Sequence, residues 1–61
     1  MHKSITEARL IEAVKSGDYI GFCLACGAEA HGVEPDANDY PCEECKSNKV
    51  YGAEEILLVM L

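Results

Sequence analysis

Two Cys-x-x-Cys pairs, Cys23-Leu24-Ala25-Cys26 and Cys42-Glu43-Glu44-Cys45, stand fifteen residues apart across Gly27–Pro41, and they constrain the fold more than any other feature of the chain. The spacing is close to the zinc-site pattern C-x₂-C-x₁₅₋₂₀-C-x₂-C. Two intervening residues let a tight turn present both sulfurs to one ion while backbone amides donate to the thiolates. Gly27 follows the first pair, where such a turn needs a positive φ that glycine adopts freely. The second pair is followed by Lys46-Ser47-Asn48, in which Asn48 is the residue best suited to the left-handed region. Two such turns facing each other predict a closed tetrahedral site with Cys23, Cys26, Cys42 and Cys45 as ligands to one Zn²⁺ per chain.

Other uses of four cysteines fit less well. Disulfides need an oxidising compartment, and Met1-His2-Lys3 runs straight into Ser4, Thr6, Glu7 and Arg9, without the apolar segment of an export signal. A thioredoxin-like redox pair expects a βαβ setting that 61 residues cannot supply around two motifs. Iron suits a tetrahedral thiolate site as well and stays open as the alternative metal. His31, between the pairs, would leave one cysteine redundant as a ligand, so an exposed strand position is predicted for it. His2 is expected to fray with the terminus. A closed four-thiolate site has no open position for water or substrate. With no Ser/His/Asp set, phosphate loop or catalytic carboxylate pair to assemble, no enzymatic activity is predicted.

The metal also answers a stability problem. The chain has 61 residues, 49% of them hydrophobic, but only 7% aromatic and no Trp. Ordering costs about 1.5 kcal/mol per residue and nearly cancels what so small a core gains by burial. Structural zinc adds about 10–16 kcal/mol of apparent binding free energy, which becomes folding free energy.

Charge narrows the partners. Five Lys and Arg against eleven Asp and Glu give a formal net charge of −6, and four thiolates with one Zn²⁺ would add −2, taking it to −8. Affinity for phosphate backbones comes mainly from Lys and Arg, so nucleic acid is disfavoured and basic partners are favoured. The longest apolar run, Ile56 to Leu61, is far short of the roughly 20 residues of a membrane span. A cytoplasmic protein without a membrane segment is predicted.

Ser4-Ile5-Thr6-Glu7 reads as a capping box, and Ala8, Leu10, Ile11 and Val14 form an apolar stripe at helical spacing. A helix from about Ile5 to Ser16 follows, within an amino-terminal segment 4–17 and ended by Gly17. Ile20, Phe22 and Leu24 alternate as in a half-buried strand leading into Cys23. Ala28–Val33 reads as a second strand, Glu34–Asp39 as a loop, Tyr40-Pro41 as extended chain, and Val50-Tyr51 as a return strand. These complete a ribbon over 18–52. In the tail, 53–61, Glu54 and Glu55 suit a helix first turn, and Ala53, Ile56, Leu57 and Met60 share one helical face. Leu58, Val59 and Leu61 lie off it. A helix apolar nearly all round either wedges between the ribbon and the first helix or offers a partner or dimer surface. A strand over the same short run also satisfies the pattern.

The strings Gly21-Phe22-Cys23-Leu24-Ala25-Cys26-Gly27, His31-Gly32-Val33-Glu34-Pro35-Asp36-Ala37, Cys42-Glu43-Glu44-Cys45 and Val50-Tyr51-Gly52-Ala53-Glu54-Glu55 resemble the zinc ribbons, in particular very small bacterial and phage zinc-ribbon proteins with short flanking helices. The resemblance covers most of the chain and implies a small metal-stabilised α+β fold: two zinc knuckles and about three short antiparallel strands, with an N-terminal and a short C-terminal helix, in one domain spanning 1–61. It also implies a bacterial or phage-infected cytoplasm. Rubredoxins share the paired knuckles, but the second knuckle here lacks Pro and Gly around Cys45. The function expected is a non-enzymatic zinc-binding adaptor. It would meet a protein partner or a second copy through Ile56, Leu57, Leu58, Val59, Met60 and Leu61. Three alternatives stand beside it: a nucleic-acid-binding zinc ribbon, a rubredoxin-like iron electron carrier, and an acidic phage inhibitor mimicking DNA. The last requires Glu29, Glu34, Asp36, Asp39, Glu43 and Glu44 to share a face.

Overall fold

A computed structural model describes residues 1–60. Along the chain come α1 (Glu7–Ser16), β1 (Ile20–Cys23), β2 (Glu29–His31), β3 (Val50–Gly52), α2 (Ala53–Glu55) and a π-helical segment, Ile56–Met60. The three strands form one antiparallel sheet with β1 in the centre, in the order β2-β1-β3. The α+β class and the three short antiparallel strands follow the sequence reading.

The first helix starts later than its capping box suggests. Thr6, in extended conformation, is the N-cap, and its hydroxyl accepts from the Arg9 amide at 3.3 Å. Ser4 is diverted to the ring of His2: its amide donates to His2 Nδ1 at 3.1 Å, and its hydroxyl lies 2.9 Å from the same nitrogen. The Ser4 carbonyl accepts from the Arg9 guanidinium at 2.8 Å. The apolar stripe shifts accordingly. Leu10 and Ala13 are buried, whereas Ala8, Ile11 and Val14 face solvent. Gly17 ends the helix in the left-handed region, at φ 69°.

Period-two alternation along β1 divides the interior into two layers. On one side Ile20, Phe22 and Leu24 meet Ile5, Leu10 and Ala13 from the amino-terminal segment and Ala53 and Ile56 from the tail. On the other, Cys23 packs with Val33, Ala37, Cys42 and Val50. The central strand thus carries a helical layer on one face and the cysteine layer on the other. The loop after β2 is pressed onto the sheet, where the Gly52 amide donates to the Ala37 carbonyl at 2.9 Å. A Cβ at Gly52 would collide with the Glu34 and Pro35 carbonyls, so the close approach requires glycine there.

The tail is helical rather than a strand, and it wedges between α1 and the sheet. Ala53 and Ile56 are buried and Leu57 is half-buried, but Met60 is exposed, contrary to the predicted stripe. The i→i+5 winding of the π segment explains the difference, because positions four apart no longer lie one above the other. Leu58 and Val59 are 73% and 63% exposed. Leu61, part of the predicted partner surface, lies outside the described residues. Among the described residues no helix is long and apolar enough to cross a membrane.

Candidate metal centre

Each cysteine pair sits on a turn where the chain leaves or approaches a strand, the first after β1 and the second before β3. The first turn leaves β1: the Gly27 amide donates to the Cys23 carbonyl at 2.8 Å, and the Cys23 amide to the Ala28 carbonyl at 2.9 Å. The second repeats it, with the Lys46 amide donating to the Cys42 carbonyl at 3.0 Å and the Cys42 amide to the Ser47 carbonyl at 2.7 Å. Gly27 has φ 80°, as its place after the first pair predicts. The corresponding residue in the second turn is Lys46, at φ 69°, and not Asn48. Both turns close with the same hydrogen bond, four residues after the leading cysteine, so geometry assigns the left-handed position before side-chain preference can.

The turns bring all four sulfurs within 4.8 Å of one another. Two close approaches run between knuckles: Cys23 Sγ to Cys45 Sγ at 3.6 Å and Cys26 Sγ to Cys42 Sγ at 3.7 Å. A tetrahedron with Zn–S bonds of about 2.3 Å has edges of about 3.8 Å, whereas a disulfide needs about 2.05 Å. The sulfurs therefore stand at the separation of ligands around a common ion, and all four cysteines are free thiols. Cys23 and Cys42 are buried, Cys26 is intermediate and Cys45 is exposed.

The surroundings favour thiolate unevenly. Burial pushes the Cys23 thiol up, but the Cys26 amide, the Ser47 hydroxyl, the Ala25 amide and the Cys45 thiol together hold it down at about 6. Cys45 is lowered chiefly by the side chain and backbone of Ser47. At Cys26 the Ala28 amide pulls downward, yet burial and the sulfurs of Cys23, Cys45 and Cys42 push the thiol up to about 12. Crowded sulfurs resist sharing several negative charges. A cation in their midst removes that resistance, so the donor set fits a thiophilic metal ion and leaves no reason for four thiolates without one.

Ser47 had no role in the sequence pattern, yet its hydroxyl lies 3.1 Å from Cys45 Sγ and 3.6 Å from Cys23 Sγ, bridging the two knuckles. The Glu44 and Cys45 amides point at Cys42 Sγ, at 3.4 and 3.5 Å. His2 does not fray. Its amide donates to the Leu24 carbonyl at 2.8 Å, and its ring lies over Gly27, where an added Cβ would come within 2.7 Å of Nδ1. A hydroxyl two residues past a Cys-x-x-Cys pair is the only sequence cue to Ser47, and nothing local announces His2. His31 occupies the exposed strand position predicted for it on β2, with Nε2 3.6 Å from Glu29.

Comparison with protein-family models, curated proteins and solved structures found no match. The four cysteines are positioned to bind a metal ion, and the small α+β frame around them, with its three-stranded antiparallel sheet, is consistent with a zinc ribbon. What the centre supports rests on its own geometry.

Proposed function

We propose that this chain is a non-enzymatic zinc-ribbon module, in which Cys23, Cys26, Cys42 and Cys45 hold one structural Zn²⁺ and the folded surface binds another protein. The observation that carries the metal role is the convergence of four sulfurs from two matched turns, with spacings near those of a thiolate tetrahedron. Zinc in that set stabilises the fold by tying β1 to the segment before β3, and four protein ligands leave it no site for substrate. Iron satisfies the same donors, and metal analysis separates the two readings.

The protein-binding role is supported by Leu58, Val59 and Met60, which the tail leaves exposed after Ala53 and Ile56 are buried. The acidic surface with only five basic residues argues against a nucleic-acid partner. The DNA-mimic reading is poorly served, because Glu34 and Asp39 accept hydrogen bonds from Tyr40 and Tyr51, and Glu29 pairs with Arg9 at 3.5 Å.

Removal of the metal by a strong chelator tests the structural role. The expected result is cooperative loss of helical and tertiary circular dichroism, restored by adding Zn²⁺. A chain that keeps its fold after complete metal removal would contradict it.

A further inference from the structure

The two edges of the sheet are finished differently. Along β3 the outward backbone groups are occupied: Val50 and Tyr40 exchange hydrogen bonds at 3.0 Å in both directions, and Gly52 donates to Ala37. On β2 the inward groups follow from the register. Cys23 donates to Ala28, and Gly21 pairs with Ala30 two residues on. Hydrogen-bonded and open pairs alternate in an antiparallel ladder. The amides and carbonyls of Glu29 and His31, opposite Phe22 and Ile20, therefore point away from β1. Among the described residues none of these groups has a backbone partner.

From β2 a groove of about 370 Å³ crosses the cysteine face of the sheet to the segment Tyr40–Glu44, whose Tyr40 pairs with Val50 of β3. Ala28, Ala30, Val33 and Val50 give it an apolar lining and Glu43 and Glu44 supply its carboxylates, whereas the Glu29 side chain turns to the Phe22 face of the sheet and pairs with Arg9. An extended segment laid along the β2 edge would extend the sheet by main-chain pairing and turn alternate side chains toward the groove. Short charged edge strands also deter self-pairing. A second copy of this chain, at net charge −6, would bring acid against acid, whereas a basic segment meets complementary charge.

We propose that the β2 edge and its groove form a docking site for an extended basic peptide segment of a partner protein. The site rests on the protein-binding role above but places the contact on the sheet edge, away from Leu58–Met60. Lysine or arginine side chains of the segment face Glu43 and Glu44, and its main chain pairs with Glu29 and His31.

The test uses the zinc-loaded full chain and a capped hexapeptide of alternating lysine and valine, with amide resonances and a dissociation constant as readouts. Shifts are expected at Glu29–His31 and Tyr40–Glu44. Affinity should fall about tenfold or more in a Glu43→Gln, Glu44→Gln double variant, and a glutamate–valine peptide should not bind. His31→Pro removes one outward amide while leaving the β1–β2 hydrogen bonds intact, and should weaken binding similarly. If that variant misfolds, a peptide N-methylated at alternate residues tests the same pairing from the other side. Shifts confined to Leu58–Met60 would overturn the groove while keeping the protein-binding role. No binding, equal affinity for both peptides, or concentration-dependent shifts of the edge without peptide would overturn it as well.

Discussion

Lys46 bears a backbone cost that Gly27 avoids at the equivalent position of the other knuckle. A non-glycine residue in the left-handed region is disfavoured by roughly 1–2 kcal/mol, while glycine loses about 0.5–1 kcal/mol more to chain entropy. The first exceeds the second, and the exposed Lys46 ammonium contributes only a 3.0 Å bond to the Glu43 carbonyl. Lys46→Gly is therefore expected to stabilise the zinc-loaded protein by about 0.5–1 kcal/mol in chemical denaturation, with metal stoichiometry unchanged. A loss of stability would mean the lysine side chain matters more than its backbone strain. Ser47 presents the opposite case. Its hydroxyl sits against Cys45 and Cys23, and removing such an outer partner costs roughly 10-fold or more in metal affinity. Competition with a chromophoric chelator should show that weakening in Ser47→Ala, since the Ser47 carbonyl that holds Cys42 is retained. Unchanged affinity would remove Ser47 from the support of the centre.

At the scale of elements, what the sequence disclosed depended on whether the determining contact was local. The two knuckles, the three strands and the glycine stop of α1 follow from short-range patterns, and all were legible. The start of α1 was not, because Ser4 has two uses and the winning one involves His2 docked on the first knuckle. The pitch of the tail was hidden for a similar reason: burial of Ile56 between α1 and Phe22 fixes its path, which periodicity alone does not record. The loop between β2 and the second knuckle is also held by nonlocal contacts, among them the Tyr51 hydroxyl donating to Asp39 Oδ1 at 2.9 Å. That bond to Asp39 raises the Tyr51 phenol above its ordinary value. A pKa raised on folding means the contribution is complete below the unfolded value of about 10 and is lost as pH climbs through the folded one. Thermal midpoints followed into alkali should thus decline less in Tyr51→Phe than in the parent, over that window. Parallel declines would show that the hydroxyl does not fasten the loop.

Taken whole, the molecule is two thin layers on one three-stranded sheet, and neither could stand alone. The helical layer buries six residues, Ile5, Leu10, Ala13, Phe22, Ala53 and Ile56, which is little apolar area for 61 residues to order. The cysteine layer has fewer bulky side chains still, but it holds sulfurs that converge from both knuckles. On the proposed reading, zinc held by these sulfurs ties β1 to the segment before β3 and adds its binding free energy to the fold, so the fold and the centre are a single claim. Native mass spectrometry of protein purified without added metal tests that claim most directly. One zinc per chain, with all four cysteines lacking disulfide bonds, is the predicted result. One iron per chain, or a metal-free chain two hydrogens lighter for each disulfide formed, would contradict it.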